Sequence, residues 1–392
     1  MSAAATETAS DMTQADDDAH DAYICRRVLD TLLRENVREC VSRAAVRAGD
    51  SLPTALAHRD AGYAWLEVSH FGAGILWIPV AESAFMQAWR SAGLPLLWDD
   101  GRRLKQLYAV EDILVCFAQG LAAAAMDRFA AFAEECRVAA GHRHISESER
   151  ERWFAEFRAA HGMAAGSRLP SWHSRLLHYD RLGAFLDHPF YPTARAKLGF
   201  DADALAAYGP EFQRPFMLRW LAVPRGLYHP SAAAESTLPA LWPSVEAVGL
   251  PAAMAPTHAL IPVHPFVWDH QLDELLGDAE LRQSVVRAPH PYLAVAPTLS
   301  VRTVVLLDAP EWHLKLPLTI RTLGAKNIRT IKPSTIHDGH RFQTLLADIA
   351  AREPTIADRL LLTFEACGGH VDNRMFLGHI LRRYPVEALG ES

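Results

Sequence analysis

Lysine is scarce in these 392 residues: there are five, and three of them fall between positions 315 and 332. Cysteine is scarce too. The five, Cys25, Cys40, Cys116, Cys136 and Cys367, are odd in number and never at Cys-x-x-Cys spacing. A disulfide framework or zinc–thiolate site is therefore not expected, and a reducing cytoplasm is the expected compartment. No apolar run approaches the roughly 18 residues that a membrane span needs. The N-terminus lacks the basic stretch and apolar core of a secretory signal. Gly-x-x-x-x-Gly-Lys-Ser/Thr, Gly-x-Gly-x-x-Gly, Gly-x-Ser-x-Gly and His-Glu-x-x-His are all missing, which removes the commonest phosphate-loop, dinucleotide, hydrolase and zincin readings.

Net charge is also low. The formal value is −7, and the first 22 residues carry six acids with no Lys or Arg. The remainder is close to neutral, so a broad nucleic-acid footprint is not expected. Half of the residues are hydrophobic and 22% are charged, the composition of a globular protein of two or three domains.

What is present has a coarse order. Residues 1–22 read as a disordered acidic tail. A helical pattern runs from Tyr23 to Ala48, with Ile24, Val28, Leu29, Leu32 and Leu33 on one face. Tyr63 to Val80 reads as strand, turn, strand around Gly72 and Gly74. Residues 81–92 and 110–137 return to helix. Ser146 to Glu149 has the form of a capping box opening a helix at 146–160. Strand patterns follow at 292–296, 300–307, 312–321 and 328–332, then helices at 341–352 and 374–384. Blocks of strands and blocks of helices predict an α+β fold. The expected division is a helical N-terminal domain with a small hairpin over 23–165, then a domain built on a mixed or antiparallel sheet over 166–392.

The basic segment carries the clearest chemical signal. From Ser300 to Lys332, Arg302, Lys315, Arg321, Lys326, Arg329 and Lys332 outnumber Asp308 and Glu311. Arginine forks, lysine point charges and the hydroxyls of Ser300 and Thr303 suit phosphate or carboxylate oxygens. The turn at Gly324–Asn327 could offer backbone amides to an anion. A solvated sheet face with edge lysines would look much the same, and both readings stand at this level. His188 and His264 each precede a proline, which fixes their backbone. Such a histidine more often bonds to backbone than to a ligand. The pairs His142/His144 and His337/His340 are what chance supplies among 19 histidines, and no metal ligands are assigned.

Four ordered blocks resemble the IucA/IucC family of siderophore synthetases that work independently of nonribosomal peptide synthetases. They are His188-Pro-Phe-Tyr-Pro-Thr193 with Arg195, Lys197 and Gly199-Phe200; Tyr208-Gly-Pro-Glu-Phe212; Ile261-Pro-Val-His-Pro-Phe266 with Trp268; and Pro297-Thr-Leu-Ser-Val-Arg-Thr303, then His313-Leu-Lys-Leu316 and Asn327-Ile-Arg-Thr-Ile331. They cover roughly 180–335. Tyr191 stands where the family has a second histidine, and Phe266-Val267 where it has Trp-Gln.

The resemblance implies thumb-like and fingers-like parts of a hand-shaped architecture. It also implies siderophore biosynthesis with ATP and Mg2+ as cofactors: a citrate-like carboxylate is adenylated, then joined to an amine or alcohol. Ser300, Arg302, Thr303, Lys315 and Arg329 would contact ATP, with His188, Lys197 and His264 shaping the site; the catalytic residues stay unassigned. The family's further palm-like domain, with a His-Gly-Gln-Asn motif and an acidic metal site, has no counterpart after Pro385. The expectation is therefore a truncated synthetase of low activity alone. The alternative is a non-catalytic nucleotide-binding module serving a separately encoded partner. A homodimer is a further expected association; nucleic-acid and membrane partners are not.

Overall fold

A computed structural model describes residues 20–53, 56, 63–161, 172–231, 240–277, 279–324 and 326–385. The expected acidic tail lies, up to residue 19, outside the described residues. The contacts divide the chain into two units. The first holds residues up to Glu147 together with Asp187–Leu198, and the second holds Ser148–Leu186 and Gly199 onward. This differs from a single cut near 165, because one long helix supplies residues to both units and residues 187–198 return to the first.

The first unit opens with helix α1, residues 20–34, whose Ile24, Val28, Leu29, Leu32 and Leu33 are buried as the spacing predicts. The helix does not continue to 48. Asn36, Arg38 and Glu39 have positive φ, and Asn36 Oδ1 accepts from the amides of Val41 (2.9 Å) and Ser42 (3.1 Å), which builds a turn. Six antiparallel strands follow: β1 Ala45–Arg47, β2 Ala64–Val68, β3 Ile75–Glu82, β4 Trp89–Ser91, β5 Leu96–Asp99 and β6 Leu104–Leu107. They are ordered β1-β2-β3-β5-β6, with β4 also on β3. The strand–turn–strand expected at 63–80 is thus β2–β3 of a larger sheet. Alternation gives the sheet two covered faces. Leu66, Leu76 and Ile78 join the core with α1, while Trp65 and Trp77 join Leu52, Leu56 and Leu97 opposite. The helix expected at 81–92 is instead the end of β3, a turn and β4, with Glu82 paired to Trp89.

Helix α2, Val110–Ala118, ends before Gly120, and α3, Ala123–His161, runs unbroken through the supposed cap at Ser146. Ser146 Oγ donates back to the His142 carbonyl inside that helix.

In the second unit come α4 Trp172–Phe185, α5 Ala202–Tyr208, β7 Phe216–Pro224, β8 Tyr228–Pro230, β9 His258–Val263, α6 Pro265–His270, α7 Leu272–Leu276, α8 Ala279–Ser284 and β10 Val286–Arg287. They are followed by β11 Tyr292–Pro297, β12 Thr303–Leu306, β13 Ala309–Lys315, α9 Pro333–Arg352, α10 Pro354–Ala357, β14 Phe364–Val371 and β15 Gly378–Arg383. Nine strands form one antiparallel sheet, ordered β10-β7-β11-β12-β13-β15-β14-β8, with β9 also on β7. The α+β expectation holds in both units. The region expected as helix at 374–384 is β15, which follows a turn at Asp372 and Asn373, both of positive φ. No strand forms at 328–332, where a single bridge joins Arg321 to Ile328. One sheet face carries Leu218, Trp220, Val304, Leu306, Leu314, Cys367 and Leu381 into the core. Among the described residues no helix is long and apolar enough to cross a membrane.

Candidate anion-binding site

The opposite face of the second sheet is polar, and strand register decides what stands on it. Thr303 pairs with Lys315 across β12 and β13, and Lys315 with Ile380 of β15. Two residues along, His313 pairs with Arg382, and Arg382 with Glu365 of β14. Because side chains alternate, Thr303, His313, Lys315, Arg382 and Glu365 share this face while Val304 and Leu314 point into the core.

The loop between β11 and β12 places Ser300 and Arg302 at the end of the face. Thr298 Oγ1 donates to the Thr303 carbonyl (2.8 Å), and Ser300 Oγ donates to Thr303 Oγ1 (2.8 Å) while accepting from the Thr303 amide (3.2 Å). Within this loop Val301 has φ +65°, a conformation a β-branched residue adopts only when its surroundings impose it.

Arg329 arrives from the excursion that follows β13. Its amide donates to the Ile320 carbonyl and its carbonyl accepts from Leu318, which fixes the backbone. Its Nε donates to Thr322 Oγ1 at 2.5 Å. Arg302 Nη1 donates to the neighbouring Thr330 carbonyl. In the turn at Gly324–Asn327, Ala325 lies outside the described residues, the Asn327 amide is taken by the Gly324 carbonyl (3.2 Å), and Lys326 is exposed.

Arg302, Lys315 and Arg329 are half-buried, and among the described residues no carboxylate lies within ion-pair distance of any of them. Glu365, the acid whose charge acts on Lys315, is held by Arg382 through Nε (2.7 Å) and Nη2 (2.6 Å). The electrostatic consequence is large. Burial, then the charges of Arg302 and Arg382, push the Lys315 amine down to about 8 against the partial relief of Glu365. Burial, Arg329 and Arg382 lower Arg302 to about 10, and burial lowers Arg329. Unpaired, partly desolvated cations repel one another and favour a bound anion. A polyphosphate or polycarboxylate fits this face. Among the described residues no three His, Cys, Asp or Glu side chains gather to hold a metal ion, so none is assigned to Mg2+.

The remaining sequence candidates stand elsewhere. His264 is the buried N-cap of α6. Its Nδ1 accepts from the Phe266 amide (3.1 Å), its ring packs on Tyr208 and Phe216, and burial lowers its pKa to about 3. His188 and Lys197 belong to the first unit. His188 is exposed, and its Nδ1 accepts from the amides of Phe190 (3.1 Å) and Tyr191 (2.9 Å). Lys197 is buried, and its amide donates to His142 Nδ1 (3.3 Å). In these positions both histidines act as turn caps. Sequence reasoning missed Arg382, because the stretch containing it reads as a helix. The alternation of Ile380 and Arg382 against His379 and Leu381 was the available signal.

The profile of the IucA / IucC family matches residues 176–392. The uncharacterized protein y4xN of Sinorhizobium fredii is 31% identical over 248 residues, 57% of this chain and 38% of that protein. Staphyloferrin B synthase of Staphylococcus aureus is 24% identical over 221 residues, 53% of this chain and 38% of that protein. This chain thus aligns with well under half the length of either relative. The crystal structure of the petrobactin biosynthesis protein AsbB from Bacillus anthracis superposes with a TM-score of 0.71 at 15% identity, covering 100% of this chain and 62% of that one.

Proposed function

The chain belongs to the IucA / IucC family, and from that premise we propose that it serves siderophore biosynthesis as the nucleotide-binding part of an ATP-dependent ligase. The observation that carries the reading is the face formed by Arg302, Lys315 and Arg329, three half-buried cations with no carboxylate within ion-pair distance among the described residues. In the proposed reaction a citrate-like carboxylate attacks the α-phosphorus of ATP and expels pyrophosphate to give an acyl adenylate; an amine or alcohol then attacks the acyl carbon, gives up its proton and expels AMP, leaving an amide or ester. Carboxylate and phosphate must approach each other although both are negative. Fixed cations offset that repulsion without reorganising. Arg302 and Arg329 supply guanidinium forks and Lys315 a point charge, and Thr303 supplies a hydroxyl donor oriented by the Ser300 hydroxyl that donates to it. The nucleotide would bring Mg2+ with its phosphates, adding positive charge that this chain's described residues do not hold.

Calorimetry of Mg2+–ATP binding tests the reading, comparing the intact chain with Arg302→Ala and Lys315→Ala. Each charged contact is worth about 1.5–3 kcal/mol, so each substitution is expected to weaken binding about 10- to 150-fold. Absence of binding to a chain with intact circular dichroism, or unchanged affinity in both variants, sinks it.

A further inference from the structure

A second cluster lies on the polar side of the same sheet, away from the proposed nucleotide contacts. His337 of α9 and His370 of β14 meet Nε2 to Nε2 at 3.1 Å. His370 Nδ1 accepts from the Asn373 amide at 3.2 Å, so that nitrogen carries no proton. The proton inventory then has one solution. His370 is protonated on Nε2 and donates to His337 Nε2, which must be bare. A proton added to His337 Nε2 would set two N–H groups against each other. A proton added to His370 Nδ1 would break the Asn373 turn.

The surroundings oppose a charge on the pair. From β8, His229 stacks on the His370 ring at a centroid distance of 5.1 Å. Burial, His229 and His337 hold the His370 pKa down, while Asp372 in the following turn works the other way. On α9, Asp338 and Arg341 pair with each other on the exposed surface at 3.8 Å.

The helix has little else to hold it. Of the 20 residues of α9, only Ile336 is fully buried, at 1% exposure, in a small cluster with Ile331 and Ile380. The close approach depends on Gly339, where a Cβ would come within 2.3 Å of Glu365 Oε2, and is supplemented by Gln343 Oε1 accepting from the Glu365 amide.

We propose that the His337–His370 pair is a proton-sensitive latch that fastens α9 to β14 at neutral pH and releases it on acidification. The released form takes up a proton that the closed form cannot accommodate, so closure is strongest above the ordinary histidine pKa of about 6.5 and fades as pH falls below it. Because α9 backs Glu365, release also exposes the carboxylate that holds Arg382. The latch stands whatever the cation face binds.

Hydrogen–deuterium exchange of the full chain at pH 7.5 and 5.5, corrected for intrinsic rates, tests it. Protection of 333–352 is expected to fall by up to about tenfold per pH unit below about 6.5, while 216–224 in the sheet core stays protected. In His337→Gln the amide oxygen accepts from His370 Nε2–H in either protonation state, so the helix link survives acid and the fall should flatten. Unchanged protection of 333–352 in the parent chain overturns the latch. So does an equal fall across 216–224, or the same pH dependence in a folded His337→Gln.

Discussion

Arg382 and His313 are cross-strand partners on β15 and β13, and burial, joined by the arginine's charge, pushes the His313 imidazole down to about 4. The same guanidinium depresses Lys315 and Arg302, although Glu365 pairs with it. His313 is therefore neutral at physiological pH, and the charge of this face comes from arginine and from a lysine near its titration point.

That lysine gives the proposed site a pH signature. With an amine pKa of about 8 in the empty site, Lys315 is protonated below that value and increasingly neutral above it. A bound anion favours the charged form, so binding at pH 9 should take up a proton, detectable as a buffer-dependent calorimetric enthalpy. Affinity for Mg2+–ATP should fall as pH rises above about 8, approaching tenfold per unit. In Lys315→Arg, whose charge does not titrate between pH 8 and 9, the fall over that interval should vanish.

Removing Arg382 moves that limb. Arg382→Gln deletes one source of repulsion on Lys315 and frees Glu365, and both effects raise the amine pKa. The basic limb of the affinity profile should shift to higher pH, whereas Arg382→Lys should leave it near its original position. A limb that stays put in Arg382→Gln would show that burial and the other arginines, not Arg382, set the Lys315 pKa.

Local patterns in the sequence account for much of this architecture, and partners distant in the chain account for the rest. The apolar face of α1 repeats within a few turns, so its spacing suffices. The cation concentration between 300 and 332 is likewise visible without a fold. By contrast β4 and β15 are strands because Glu82 meets Trp89 and because β15 lies between β13 and β14. Residues 81–92 and 374–384 by themselves fit helix as well. Missing β15 also hid Arg382. The His-Pro dipeptides carry a subtler lesson. Proline has no amide proton, so the first donor available to the preceding imidazole is two residues on, at Phe190 or Phe266. The motif thus builds its own turn before any ligand is considered.

A buried ion pair in the first unit gives a stability prediction independent of function. Arg195 and Asp187 are 4% and 6% exposed at the side chain and meet at 3.1 Å, and the Tyr23 hydroxyl donates to the same carboxylate at 2.5 Å. Arg195→Ala strands a buried carboxylate and should cost about 3–5 kcal/mol in denaturant unfolding. Replacing both partners, Arg195→Met with Asp187→Leu, should cost clearly less, because the buried carboxylate is removed together with the guanidinium that faces it. Equal losses in the two variants would mean that packing rather than charge holds this contact.

The turn between β2 and β3 yields a steric prediction. Gly74 lies where an added Cβ would sit 2.3 Å from Trp98 Cζ2 and 2.7 Å from the Asp99 carbonyl oxygen. The indole could swing aside, but the carbonyl belongs to β5, whose Asp99 is paired with Ile75 of β3. Gly74→Ala must therefore either part the two strands or shift the turn, a cost of about 1–3 kcal/mol by the usual scale of overpacking. Trp98→Leu in the same chain removes the indole clash and leaves the backbone clash, so rescue should be partial, measured as denaturant midpoints of the single and double variants. Full rescue would place the whole constraint on the indole; no rescue would place it on the β3–β5 backbone contact.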